Sequence, residues 1–375
     1  MHVGLNLVYL VPGETGGMET YARELIPALV DERPELRITA FVNIEAHEAG
    51  DGPWSELAGC VRVPVRARRR PEWVRGEQQL LPRLAARNGV DVLHSLGSTA
   101  PLWGAFRRVV TIQDVIYRIY PEAHGGLRAR AMGVLVPLAA RRSHRVIVPS
   151  ESTRNDLVRL LGVPQAKIDV APLGIGAREA EAADEADLRE RLRLGARPVA
   201  LSASAKRPHK NLLRLLDAWA LLPVERPVLV LPGYPTPHEG QLREHAARLG
   251  LDPDVRFLGW MPAADLEGLY RIASCVVFPS LYEGFGLPVL EAMAHGVPVA
   301  CSDRGSLREV AGEAARFFDP ESPEAIAGAV AELLGDPAAR ERLRRTGLEQ
   351  ARRFTWGATA RATLRSYEAA LGSAA

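Results

Sequence analysis

The chain has 375 residues, 47% hydrophobic and 25% charged, which excludes a disordered polymer and suggests two folded domains, since single cores stop growing well below this length. Its 47 Lys and Arg against 45 Asp and Glu leave a formal net charge of +2, which argues against a general nucleic-acid binder. Three widely spaced cysteines, Cys60, Cys275 and Cys301, exclude a disulfide framework and a zinc pattern, and fit a reducing cytoplasm.

In chain order, Val3 to Leu10 reads as an apolar strand that begins almost at Met1, with no signal-peptide pattern ahead of it. A glycine-rich loop from Val11 to Gly17 follows. Helical spacing of Tyr21, Leu25, Ala28 and Leu29 predicts a helix over 18–30. Leu36 to Val42, Val90 to Leu93, Val109 to Ile112 and Arg145 to Val148 read as further strands. The stretch from Ala171 to Ala196 breaks the pattern and reads as a linker carrying a short helix over 187–194. Alternation then restarts. Strands are expected over 198–202, 227–231, 255–258, 275–278 and 297–301, with helices over 211–222, 240–249, 264–272 and 288–295 between them. Trp356, Ala360, Leu364 and Tyr367 recur at helical spacing in a last helix over 354–371. Such alternation implies α/β architecture with two doubly wound parallel sheets, whose ligands bind beyond the carboxyl ends of the strands, in a cleft that the two domains are expected to face.

Arginines are unevenly spread. Arg66, Arg68, Arg69 and Arg70 cluster, and Arg128, Arg130, Arg141, Arg142 and Arg145 flank the apolar stretch from Ala131 to Ala140. The second group fits either a solvated helix face or peripheral contact with an anionic membrane. No apolar run reaches the roughly 18 residues that a membrane span needs.

The most informative stretch runs from Pro279 to Glu291, Pro-Ser-Leu-Tyr-Glu-Gly-Phe-Gly-Leu-Pro-Val-Leu-Glu. It follows a strand and opens a helix. Pro288 suits the first helical turn, and Gly284 and Gly286 let backbone approach a ligand. A helix start favours phosphate, while Glu283 and Glu291, eight residues apart, can accept hydrogen bonds from hydroxyl pairs. With Ala292-Met293-Ala294 and Gly296-Val297-Pro298-Val299, the segment resembles the glycosyltransferase family 4 signature, and the resemblance extends over essentially the whole chain.

That resemblance implies the GT-B fold of two Rossmann-like domains, retention of anomeric configuration, and no required metal or cofactor. It assigns residues 1–172, with a crossover helix 356–372, to an acceptor-binding domain and residues 173–355 to nucleotide-sugar binding. The donor is a nucleotide sugar, with GDP, UDP and dTDP all open, and the acceptor is a hydroxyl. The string from Tyr282 to Pro288 resembles mannosyltransferases of polysaccharide assembly. By the same resemblance Glu283 grips the transferred sugar and Glu291 the ribose, alongside Gly284, Phe285, Gly286 and Leu287. Lys210, in Lys206-Arg207-Pro208-His209-Lys210-Asn211, holds the diphosphate and neutralises the leaving group. Lys206 is assigned the upstream diphosphate contact, with Arg207 as the alternative. Gly16 and Gly17 belong to a loop similar to the family's glycine loop over the diphosphate, and Trp260 and Met261 to its base-binding loop.

Where relatives often have His-Asp, this chain has Gln113-Asp114. Glutamine cannot act as a base but can orient a sugar by hydrogen bonds. His94, at a strand end, is either an acceptor contact or a satisfied structural histidine. A nucleotide-sugar epimerase and a catalytically silent nucleotide-sugar-binding protein are the alternative functions. A dehydrogenase fits poorly, because the glycine loop lacks the Gly-x-Gly-x-x-Gly spacing.

Overall fold

The computed structural model describes residues 1–121, 126–176, 181–223 and 225–372, with backbone alone for 126–129. The chain divides into two compact units, Met1–Gly174 with Phe354–Ala375, and Ile175–Arg353.

The first unit is built on seven parallel strands: β1 (His2–Leu7), β2 (Arg37–Val42), β3 (Gly59–Arg62), β4 (Val92–Ser95), β5 (Arg107–Thr111), β6 (Arg145–Val148) and β7 (Ile168–Val170). Their order is β3-β2-β1-β4-β5-β6-β7, so the winding direction reverses between β1 and β4. Every residue of β1 is buried, as a strand covered on both faces requires. It ends at Leu7 rather than Leu10 because the chain turns there, with Leu10 N–H donating to Leu7 O at 3.0 Å. The helix Gly17–Glu32 packs against the last helix, Trp356–Gly372, which also lies on β5 and β6. The rings of Tyr21 and Trp356 stand 6.0 Å apart in this contact.

In the helix Gly126–Arg142, Val136, Ala139 and Ala140 join the unit's core, while Val134 is exposed. The side chain of Arg128 lies outside the described residues. The arginine cluster at 66–70 is partly paired, Arg68 with Glu14 and Arg69 with Glu72.

The second unit has six parallel strands: β8 (Val199–Leu201), β9 (Val228–Leu231), β10 (Val255–Phe257), β11 (Ala273–Phe278), β12 (Val299–Ser302) and β13 (Ala315–Phe318). Their order, β10-β9-β8-β11-β12-β13, reverses between β8 and β11. Helices Leu212–Leu221 and Pro323–Gly335 carry Leu215, Leu216, Trp219, Ile326 and Val330 into a core shared with Val277 of β11. The expected linker helix spans Glu185–Arg191, started by the Asp184 carboxylate accepting from Asp187 N–H at 3.0 Å. Residues 177–180 of the linker are outside the described set.

Strands β3, β7 and β13 have no counterpart in the sequence reading. All three are last in their sheets, and β3 is largely exposed, so no continuous apolar run marks it. The helices Glu151–Leu161, Pro323–Gly335 and Pro337–Ala351 were likewise not anticipated.

Candidate functional site

In the second unit, the sheet reverses between β8 and β11, and the loops leaving these two strands carry the most informative residues. A doubly wound sheet opens a crevice at that point. The loop after β8 ends in a short turn, Pro208–Lys210, and Asn211 takes a left-handed backbone (φ 60°) before the helix Leu212–Leu221 starts. The Asn211 amide donates to Pro279 O at 3.1 Å and Pro320 O at 2.7 Å, and Leu281 N–H donates to His209 O at 2.9 Å. The two loops are thereby bonded directly to each other.

This arrangement brings Lys210 and Glu283 together. The Lys210 ammonium donates to Glu283 Oε1 at 2.6 Å and lies 5.2 Å from the centre of the Phe278 ring. Both side chains are mostly shielded, with 15% and 9% exposed. Behind them, the Ser306 hydroxyl donates to Glu283 O at 3.1 Å and Phe285 O at 2.7 Å, fixing the backbone of the Glu-Gly-Phe segment. Gly286 turns the chain into the helix Leu287–Ala294 at φ 103°, and a Cβ there would sit 2.5 Å from Leu307. A side chain at this position is therefore both strained and obstructed. Gly284 and Phe285 are buried, and Leu287 and Pro288 form the first helical turn.

Glu291 follows on the same helix. Its Oε2 accepts from the Tyr270 hydroxyl at 3.0 Å. Burial pushes this carboxyl up from its usual range, and the Tyr270 hydrogen bond works against that rise. The Tyr270 ring stacks on His295 at 4.6 Å, and His295 Nε2 pairs with Glu267 at 2.7 Å. No local pattern marks Tyr270 as the partner of Glu291, because their elements meet only in the fold.

Lys206, expected as the upstream diphosphate contact, faces elsewhere. It is fully buried, and its ammonium donates to Gly233 O at 2.8 Å and Leu258 O at 2.6 Å, with Glu239 at 3.7 Å. Its long stem carries the charge under the neighbouring strand ends instead of toward solvent. Arg207, the alternative, is half-buried. In the loop after β10, Trp260 is 68% exposed and stacks on Tyr234 with ring centres 4.6 Å apart, so it is not a core packing residue. Met261 beside it is half-buried.

In the first unit, Gly16 and Gly17 lead into the helix Gly17–Glu32, Gly16 at φ 62° with open space where a side chain would be. The loop is held by Thr15, whose hydroxyl bonds Val11 N–H and O at 2.8 Å each, and by Glu19, which accepts from Gly13 N–H at 2.8 Å. Gln113 and Asp114 follow β5. The Gln113 amide nitrogen is buried with no hydrogen-bond partner, and Asp114 accepts from Ile116 N–H at 2.9 Å.

His94 is corrected to a structural role. It is fully buried, with Nδ1 2.7 Å from the Tyr367 hydroxyl and Nε2 2.7 Å from the Thr111 hydroxyl. Burial lowers it to about 3, so the ring is neutral and ties the last helix to the sheet. Neither ring nitrogen is left for an acceptor. Among the described residues, no group of three or more His, Cys, Asp and Glu side chains is placed to hold a metal, and no helix is long and apolar enough to cross a membrane.

Comparison with known proteins agrees with this architecture. Residues 15–178 match the model of Glycosyltransferase Family 4, and residues 184–350 match that of glycosyl transferases group 1. O-antigen chain mannosyltransferase B of Escherichia coli is 33% identical over 267 residues, 70% of either chain. MMP alpha-(1->4)-mannosyltransferase of Mycolicibacterium hassiacum is 31% identical over 63% of this chain and 56% of its own. D-inositol 3-phosphate glycosyltransferase of Kribbella flavida is 26% identical over 96% of this chain and 92% of its own. Among solved structures, sucrose-phosphate synthase of Thermosynechococcus elongatus superposes with a TM-score of 0.78 at 22% identity over 98% of both chains. HepE of Anabaena in complex with UDP-glucose gives 0.75 at 20% identity, covering 98% of this chain and 100% of that one. At such identities these two show the fold alone. Both units being matched by models of glycosyltransferases, and the E. coli relative spanning 70% of either chain, the protein belongs to glycosyltransferase family 4.

Proposed function

We propose that this glycosyltransferase is a retaining, metal-independent hexosyltransferase that moves a sugar from a nucleotide-diphosphate donor to a hydroxyl of a glycan, lipid-linked or natural-product acceptor. The named mannosyltransferases among its relatives favour mannose, and with it GDP-mannose, over UDP- and dTDP-sugars.

The observation that carries the reading is the Lys210–Glu283 pair at the reversal of the second sheet, beside the start of the helix Leu287–Ala294. An ammonium held in a shielded crevice stabilises negative charge growing on a departing diphosphate. The helix start adds its positive dipole end, and Arg207 is the second cation. The Glu283 carboxylate accepts hydrogen bonds from hydroxyls of the transferred sugar, and Glu291 accepts them from the ribose diol. As the bond from the sugar's anomeric carbon to the phosphate oxygen breaks, the acceptor oxygen bonds to the same face of that carbon. The acceptor's proton passes to the leaving phosphate oxygen. Gln113 contributes orientation through its unpartnered buried amide, with Asp114 beside it on the acceptor side.

We place the activity in the cytoplasm, in keeping with three free thiols, Cys60, Cys275 and Cys301. A peripheral membrane position is favoured by one observation, the exposure of Val134 on the arginine-flanked helix. Flotation with anionic vesicles tests it, and recovery of all protein in the vesicle-free fraction would discard it.

A thermal-shift screen over GDP, UDP and dTDP identifies the donor class, because a ligand that binds only the folded state raises its stability by mass action. Product NMR with an α-configured donor then reads stereochemistry. An α-linked product is expected; a β-linked one would sink the retaining assignment.

A further inference from the structure

Three loops leave the carboxyl ends of β8, β9 and β10, and one residue bonds to all of them. The backbone N–H of Lys206 donates to Tyr234 O at 3.3 Å, and its carbonyl accepts from the Thr236 hydroxyl. Its ammonium donates to Gly233 O at 2.8 Å in the loop after β9 and to Leu258 O at 2.6 Å at the end of β10. Glu239 supplies the counter-charge at 3.7 Å. The same loops are stitched by backbone bonds, Ser204 N–H to Pro232 O at 3.0 Å and Gly233 N–H to Gly259 O at 3.1 Å. Packing here is close enough that a Cβ on Gly233 would lie 2.1 Å from Ser204 O. Nothing in this arrangement offers the ammonium to a ligand: Lys206 is 0% exposed.

The two residues fixed by those bonds are aromatic and stack on each other. Tyr234 follows Gly233, and Trp260 follows Gly259, with centroids 4.6 Å apart and planes 21° from parallel. Trp260 is 68% exposed, which is costly for so large an apolar ring and suits a surface that a flat ligand covers.

We infer that Lys206 is a positioning residue, a buried clasp that holds the loops after β8, β9 and β10 so that the Tyr234–Trp260 pair forms a stacking surface for the donor's nucleobase. This rests on the proposed nucleotide-sugar reading for the identity of the ligand, though not for the clasp itself. The clasp separates two cations of one short segment by role: Lys210 acts on the diphosphate, and Lys206 shapes the place where the base lies. Burial lowers Lys206 from its usual range, and Glu239 opposes that lowering.

The wild-type protein gives the first test. Its lysines are Lys167, Lys206 and Lys210 alone. Reductive dimethylation mapped by mass spectrometry should leave Lys206 unmodified in the free protein, whether or not any nucleotide binds. Modification of free Lys206 that GDP or UDP then suppresses would overturn the clasp and restore it as a phosphate contact.

The second test compares GDP with guanosine, and UDP with uridine, by calorimetry on wild type, Lys206→Met and Trp260→Ala. Lys206→Met should weaken a nucleoside and its diphosphate by the same factor, about tenfold as loosened loops forfeit the base–aromatic stacking, and alter the near-ultraviolet circular dichroism of the aromatic pair. A loss confined to the diphosphates would refute the inference. Trp260→Ala alters an exposed side chain and leaves the clasp intact. It should also weaken nucleoside and diphosphate equally, and unchanged nucleoside affinity would refute the stacking surface. If wild type binds neither nucleotide, the donor reading and the stacking role fail together, while the labelling result still decides the clasp.

Discussion

Lys210→Met separates what the ion pair does for the fold from what it does for the reaction. The change keeps an apolar stem against Phe278 and deletes the ammonium 2.6 Å from Glu283. Glu283 is then a carboxylate with 9% of its side chain exposed and its ion-pair partner gone. Removing one partner of a fully buried pair costs about 3–5 kcal/mol, and the residual exposure here puts the expected loss near the lower end, about 3 kcal/mol. For a unit of this size that corresponds to a fall in Tm of about 6–12 °C. Adding Glu283→Gln removes the stranded charge, so the double variant should regain most of that stability. Activity should behave differently. Transfer should fall by about a hundredfold or more in Lys210→Met, the scale for removing a group that stabilises developing charge, and should not recover in the double variant. Thermal denaturation and initial rates of sugar transfer on the three variants provide both readings. Near-wild-type turnover in Lys210→Met, or recovery of rate along with stability, would refute the proposed role.

Tyr270→Phe removes the hydroxyl that donates to Glu291 at 3.0 Å, a hydrogen bond that holds a buried carboxylate down against desolvation. Nucleotide affinity at pH 7 should drop about tenfold, and the loss of affinity on acidification should set in at higher pH, as titration calorimetry across pH 5–8 would register. His94→Gln should destabilise the protein by about 1–3 kcal/mol at pH 7 through its lost hydrogen bonds. His94 is neutral in the fold and lowered to about 3, whereas the unfolded chain takes up that proton near 6.5. The wild type therefore loses stability as pH falls through 6.5, and its advantage over the variant should shrink by about 1.4 kcal/mol per pH unit; a constant advantage in urea melts from pH 7 to 5 would contradict the assignment. Gly286→Ala forces a side chain onto φ 103° and against Leu307, and should cost about 1–3 kcal/mol in denaturant titration while weakening nucleotide binding.

The candidate site on the second sheet was legible because its residues lie in local sequence motifs. Lys210 and Glu283 each lie in the loop that leaves a buried apolar strand, and Pro288 with Gly286 marks the helix that follows Glu283. What was not legible depends on where long side chains end. Lys206 and Lys210 are four residues apart in one basic segment, and only the fold shows that one ammonium meets Glu283 while the other enters a cage of carbonyls. His94 was ambiguous for the same reason: its partner Tyr367 lies 273 residues away. Of the edge strands, β3, β7 and β13 escaped because an edge needs less apolar sequence than a centre, as the exposed β3 illustrates, whereas β10, also at an edge, was expected. The Tyr270–His295–Glu267 support of Glu291 escaped because it joins two helices whose mutual placement no local pattern specifies.

The helix Trp356–Gly372 has a consequence for biosynthesis. It covers part of a sheet whose first strand is His2–Leu7, and the whole of Ile175–Arg353 is translated between them. At about 5–20 residues per second, synthesis separates the first strand from this helix by about 20–70 s. Until the helix is made, β5, β6 and the face of Gly17–Glu32 are left as apolar surface for chaperones to shield.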